Sequence, residues 1–276
     1  MNRVMNRIFE YVVALGDLVM PRACLACGCR LGMRERHQCL SCSADVPYTR
    51  FWLAAHNPLA DRFNAVLERH RGTEPMDYAY AAALIYYKGA YRAIPRALKY
   101  QGDLAAGRHY GALLGRRLAA APHFADIDLV IPVPLHWTRL RSRGYNQAEI
   151  LARALVDAFR AAPDEGPVVR TDLLVRARRT RTHTRVSVDQ KAQNVASAFQ
   201  VPARFPLWAR FLSLSKSIPE SPADILASAR HILLVDDTFT TGATLYACYA
   251  ALRPFTTARI SIATLAAVEG TPTLGP

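Results

Sequence analysis

The segment His231-Ile-Leu-Leu-Val-Asp-Asp-Thr-Phe-Thr-Thr-Gly-Ala-Thr-Leu245 concentrates more usable chemistry than any other part of the chain. An apolar run, Ile232 to Val235, leads straight into two carboxylates, Asp236 and Asp237. A loop of Thr240, Thr241, Gly242, Ala243 and Thr244 follows and opens a helix-like stretch. Such a loop offers hydroxyls, backbone N–H groups and a glycine at the positive end of a helix dipole, which together suit a phosphate. The two acids would repel that phosphate. They suit neutral hydroxyls instead, such as the pair on a ribose. The residue types therefore describe a strand end shaped for a sugar carrying a 5′-phosphate. A plain polar turn with a threonine N-cap would need one such side chain, not this many.

A second constellation lies near the front. Cys24-x-x-Cys27 and Cys39-x-x-Cys42 form two knuckles of the kind that hold a tetrahedral structural Zn²⁺. The segment carries few large apolar residues, so bound metal would supply its folding energy. Disulfides are the competing reading and suit an exported chain. Cys29 and His37 lie close enough to replace a ligand and are expected to be bystanders; Cys248 is expected to be a small core residue.

The elements that must position these groups follow from hydrophobic pattern. Buried strands are expected at 80–87, at 128–134 and from His231 onward, with a last strand at 258–266. Two helices broken near Gln101-Gly102-Asp103 are expected between 90 and 120, and another helix from Tyr145. Arg139, Arg141 and Arg143 crowd what reads as a loop after the second strand, where open α/β sheets bind ligands. Guanidinium forks suit a pyrophosphate. The arginine-rich stretch inside 174–195 reads as a mobile loop that closes over anions, and the proline-rich 202–230 as an insertion.

The whole chain has 276 residues, 51% of them hydrophobic, and a formal net charge of +13. It can hold one large α/β domain with a small appendage. The charge favours polyanionic partners such as nucleic acid, nucleotides or pyrophosphate. Residues 1–20 are mildly amphipathic, interrupted by Glu10 and Asp17, with no small-residue cleavage site after them. They are expected to form a helix and not a secretory signal. No stretch has the length of a membrane span, and a cytoplasmic location is expected.

The Asp-Asp…Thr-Thr-Gly-x-Thr segment resembles the signature of type I phosphoribosyltransferases, which bind phosphoribosyl pyrophosphate (PRPP). The cysteine knuckles, Lys99-Tyr-Gln-Gly-Asp103, Pro132-Val-Pro134, Arg143-Gly-Tyr-Asn-Gln147, the Thr180 to Asn194 segment and the Asp-Asp loop, in that order, resemble the ComF family, associated with DNA uptake in natural transformation. The resemblance implies a type I phosphoribosyltransferase fold, an open and mainly parallel sheet flanked by helices, behind a small N-terminal zinc-ribbon-like module. It implies an N-terminal helix at 1–23, a zinc module at 24–46, a connector at 47–79 and the phosphoribosyltransferase-like domain at 80–276. PRPP would be bound by Asp236, Asp237, Thr240, Thr241, Gly242, Ala243 and Thr244, with the two acids catalytic and Mg²⁺ accompanying the ligand. Arg139, Arg141 and Arg143 are the pyrophosphate candidates. The chain departs from the family pattern at His183, at Arg185-Val186, at Lys191, at Phe239 and in the 202–230 insertion. Two functions follow. One is phosphoribosyl transfer; the other is binding of single-stranded DNA or of DNA-uptake proteins by the same fold.

Overall fold

The computed structural model describes residues 21–70, 77–160, 166–177, 198–205 and 221–270. The expected N-terminal helix lies outside these residues, as do 178–195 of the arginine-rich loop and 206–220 of the insertion.

In chain order the elements are α1 (Leu40–Ala44), α2 (Pro58–Arg69), β1 (Ala81–Tyr86), α3 (Ala93–Arg96) continued by a π-wound turn over Ala97–Gln101, α4 (Leu104–Ala119), β2 (Leu129–Pro132), α5 (Trp137–Arg143) and α6 (Gln147–Phe159). After them come β3 (Val168–Val169), β4 (Val175–Arg176), β5 (Phe199–Gln200), α7 (Pro222–Ser228), β6 (His231–Phe239), α8 (Ala243–Leu252) and β7 (Arg259–Ala267). Five strands form one sheet in the order β1-β7-β6-β2-β3, and every pairing in it is parallel. β4 and β5 make a separate antiparallel pair.

The strands expected from apolar runs are all present. Continuous runs, not alternating ones, are what a parallel sheet covered on both faces requires. Two hydrophobic clusters confirm the double cover. Leu233, Val235, Val130 and Leu265 pack with Tyr110, Leu114, Leu151 and Leu155 of α4 and α6. Ile232, Leu234, Ile131 and Ile262 pack with Phe63 of α2, Leu226 of α7 and Leu245 of α8. The described part of the 47–79 stretch, 47–70 and 77–79, is thus woven into the core. Asn57 caps α2 and donates to the Ala81 carbonyl at 3.0 Å, and Asn64 donates to that of Ala79 at 2.8 Å. Part of the insertion joins the core too, through buried Pro222 and Leu226 on α7.

α4 and α6 lie unusually close. A Cβ added to Gly115 would sit 2.2 Å from the Leu155 carbonyl oxygen, and one on Gly111 would sit 2.8 Å from that of Leu151. Glycine at these two positions lets the backbones meet.

One expectation is corrected. Arg139, Arg141 and Arg143 lie on a helix, α5, and not in a loop. The His136 side chain accepts from the Thr138 amide, and Gly144 ends the helix in the left-handed conformation at φ 82°. Arginine is a good helix former, so charge density alone was a poor sign of a loop.

Candidate active site

β6 runs past both carboxylates to Phe239, with Asp236 paired to Thr264 and Phe239 to Ala267 of β7. The acids are therefore the last turns of a strand, and successive strand residues point to opposite faces. Asp237 shares its face with Val235, towards α6 and the π-wound turn. Asp236 shares its face with Leu234, on the side of α8. The pair straddles the end of the sheet.

Their surroundings differ accordingly. Asp237 is buried, and its Oδ2 lies 3.3 Å from the Lys99 ammonium and 3.4 Å from the Gln147 amide nitrogen that donates to it. Arg143 in turn donates to Gln147 Oε1. Asp236 accepts from the Asp237 amide at 2.8 Å. Burial first, and then the neighbouring Asp237 charge, push the Asp236 carboxyl up to about 7; Lys99 and Arg176 pull the other way. Two acids with environments this different are suited to different tasks.

Beyond the acids, Thr240 and Thr241 are exposed, and Gly242 turns the chain at φ +81°. A Cβ there would meet the Phe239 ring at 3.0 Å, so the turn needs glycine on two counts. Gly242 is the N-cap of α8 and brings no capping side chain. Tyr246 is the first residue whose amide reaches an intrahelical acceptor, the Gly242 carbonyl at 2.8 Å. The Ala243 amide before it donates to Thr241 Oγ1 at 3.5 Å, and those of Thr244 and Leu245 point out of the helix start. Arg62, from α2, clamps the loop: it donates to the Thr240 carbonyl at 2.8 Å and to that of Val268 at 2.7 Å, and stacks 5.2 Å over the Phe239 ring.

A cleft of about 330 Å³ opens here, with Thr240, Thr244 and both acids on one wall and Tyr87, Arg96, Lys99 and Tyr100 on the other. That is room for a small polar ligand. The three arginines expected here divide. Arg143 reaches Asp237 through Gln147, whereas Arg139 and Arg141 are exposed on α5 and neither lines the cleft. Sequence reasoning gave no role to Lys99 or Gln147, although both lie in the stretches that carry the family resemblance. It missed Arg62 and Arg96 altogether, because nothing local distinguishes a helix arginine that reaches a distant loop.

At the front of the chain the four sulfurs of Cys24, Cys27, Cys29 and Cys39 all lie within 4.8 Å of one another. Tetrahedral Zn²⁺ with bonds of about 2.3 Å places its sulfurs about 3.8 Å apart. Cys27 and Cys39 stand 3.7 Å apart, so the spacing fits. Burial opposes the thiolate at Cys24, but backbone N–H groups of Cys27, Cys39 and Ala26 outweigh it and bring this thiol down to about 6. The thiolate is the form that binds metal. Cys29, expected to stand aside, is inside the group. Cys42 is beside it, its thiol pushed up by the sulfurs of Cys27 and Cys39. Five cysteines thus crowd a place for four. His37 stacks against His109 at 4.9 Å and is not among the clustered ligands.

A third constellation has the look of a hydrolase triad. His231 Nδ1 is 2.6 Å from Asp126, and its Nε2 is 2.8 Å from Ser261 Oγ. Both His231 and Ser261 are fully buried, and Ser261 also accepts from the Tyr80 amide at 3.2 Å. No substrate can reach that hydroxyl. The three residues brace the N-terminal end of the sheet, at the other end of β6 from the cleft.

No family model matches the chain. Over 240 residues it is 25% identical to the protein described as competence protein F of Haemophilus influenzae, a match that spans 86% of this chain and 87% of the other. The chain is distantly similar to competence protein F. The likeness supports the ComF resemblance read from the sequence, and it spans most of both chains. No helix among the described residues is long and apolar enough to cross a membrane.

Proposed function

We propose that the cleft binds PRPP and that the protein is a phosphoribosyltransferase of the ComF type, acting in the cytoplasm in connection with DNA uptake. The observation that carries this is the junction of β6 with α8. Two unlike carboxylates there stand beside a left-handed glycine turn and a helix start whose N-cap carries no side chain, next to a cleft with two cations. Thr240, Thr241, Gly242, Ala243 and Thr244 would hold the 5′-phosphate, and Asp236 and Asp237 the ribose hydroxyls. Lys99 and Arg96, on the opposite wall, are closer candidates for the pyrophosphate than Arg139 or Arg141. Mg²⁺ would arrive on the pyrophosphate's own oxygens and water, as this hard ion prefers. An acceptor's lone pair would attack C1′, the bond from C1′ to pyrophosphate would break, and pyrophosphate would leave with that electron pair. The sugar becomes cationic on the way, so carboxylate charge near C1′ favours the transition state. The cysteine cluster would hold one structural Zn²⁺ and fix residues 24–46 as a small module.

The test is titration calorimetry with PRPP and Mg²⁺. Wild-type protein should bind, and Asp236→Asn/Asp237→Asn should lose at least about tenfold in affinity. A second reading, binding of single-stranded DNA or an uptake protein, draws on the name of the relative and on the exposed Tyr100 and Trp137, rings on which bases stack. DNA binding that falls steeply with salt and ignores the two aspartate changes, with no PRPP binding, would replace the first reading by the second.

A further inference from the structure

We infer that the outer groove between α4 and α6 is a docking site for an acidic amphipathic helix of a partner protein. It does not depend on the function proposed for the cleft. At about 590 Å³ the groove is larger than the cleft. Its shape follows from the packing of the two helices. Gly111 and Gly115 bring the backbones into contact, so the outward seam is floored by the small side chains Ala112, Ala154 and Ala158, with Ile150 at one end. A floor of mostly small apolar side chains between two helices accepts the ridge of a third helix.

The rims carry charge in an ordered way. Arg108 and Arg116 stand two turns apart on the α4 side, with Ala112 between them, and neither makes an ion pair among the described residues. The α6 side is mixed: Arg153 is held by Glu149 at 2.8 Å, and Asp157 lies one turn on. One rim is therefore wholly positive and the other close to neutral. An amphipathic helix with acids along one flank and a small apolar stripe below matches both rims and the floor. A nucleic acid strand does not. The lining has no aromatic ring for a base to stack on, and Asp157 and Glu149 would repel phosphates on one side.

The probe is a fluorescent helical peptide of about 20 residues with an alanine/leucine stripe and glutamates along one flank. Its controls are a scrambled peptide of the same composition and a thymidine oligonucleotide of similar charge. The full chain should bind the designed peptide at least about tenfold more tightly than either control. Arg108→Glu/Arg116→Glu, both on exposed side chains, should abolish that preference while leaving the melting temperature near that of the wild type. Ala112→Phe, which fills the floor without touching the charge, should weaken binding as well. Equal binding of the scrambled peptide, displacement of the peptide by the oligonucleotide, indifference to the charge reversal, or no peptide binding at all would each overturn the proposal.

Discussion

Lys99 shows how one side chain decides the state of the candidate site. Its ammonium is the only full cation within ion-pair distance of Asp237 among the described residues, and Asp237 is buried. Removing one member of a buried pair leaves the other unmatched, which costs more than the pair itself contributes. Lys99→Met should therefore destabilise the protein by about 1–2 kcal/mol, reduced from the fully buried case because the lysine is partly exposed. Adding Asp237→Asn should restore much of that loss, and denaturant titration of the two single variants and the double variant measures the coupling. The cysteines give a second prediction. Cys24, Cys27 and Cys39 belong both to the quartet expected from spacing, completed by Cys42, and to the clustered one, completed by Cys29. Serine at Cys27 or Cys39 should remove the metal, whereas serine at Cys29 or at Cys42 leaves a complete set of four thiols and should keep it. Zinc content per chain, measured on the four purified variants, separates these outcomes; loss of metal from Cys29→Ser alone would assign the site to the clustered quartet.

At the scale of elements the tightest constraint is the contact between α4 and α6. Alanine is the better helix former by about 1 kcal/mol, so Gly115→Ala ought to stabilise an isolated helix. Here the new methyl would lie 2.2 Å from a backbone oxygen that belongs to another helix and cannot rotate away. Overpacking of this kind costs about 3 kcal/mol, which outweighs the propensity gain. Thermal melts should show Gly115→Ala less stable by several degrees, with the exposed Ala119→Gly as a control that changes little. These same elements show what a sequence discloses. The strands were legible because parallel strands are apolar throughout, and the acids with their threonine loop were legible because the chemistry is contiguous. The reach of Lys99 to Asp237, of Gln147 to the same acid and of Arg62 to Thr240 was not. Each joins residues 90 or more positions apart, and only the order of strands in the sheet brings them together. β3, two residues long, and the helical state of Trp137–Arg143 were missed for the opposite reason: they are too short to show a period.

For the whole molecule, the sheet separates two kinds of desolvated titratable group, and they give opposite pH slopes. At the C-terminal end of β6, burial and Asp237 raise the Asp236 carboxyl from 3.8 to about 7. The folded state holds a proton there that the unfolded chain releases, so this contribution is complete below about 3.8 and is lost as pH rises through about 7. At the N-terminal end, burial lowers both His231 and His123 below 6.5, with Asp126 only partly compensating at His231. Their neutral forms are the folded ones, so this contribution is complete above 6.5 and is lost as pH falls below it. Stability should peak between the two losses, near neutrality. Asp236→Asn removes the first slope and leaves the second. Its melting temperature should match that of the wild type near pH 4 and exceed it by about 3 °C or more at pH 8, because the cost of an ionised, desolvated Asp236 beside Asp237 has gone. A gain that does not change with pH would mean that Asp236 is not the group that ionises in this range. A gain that grows with pH, in a variant that no longer binds PRPP, would show the carboxylate kept at a cost to the fold for the sake of its ligand.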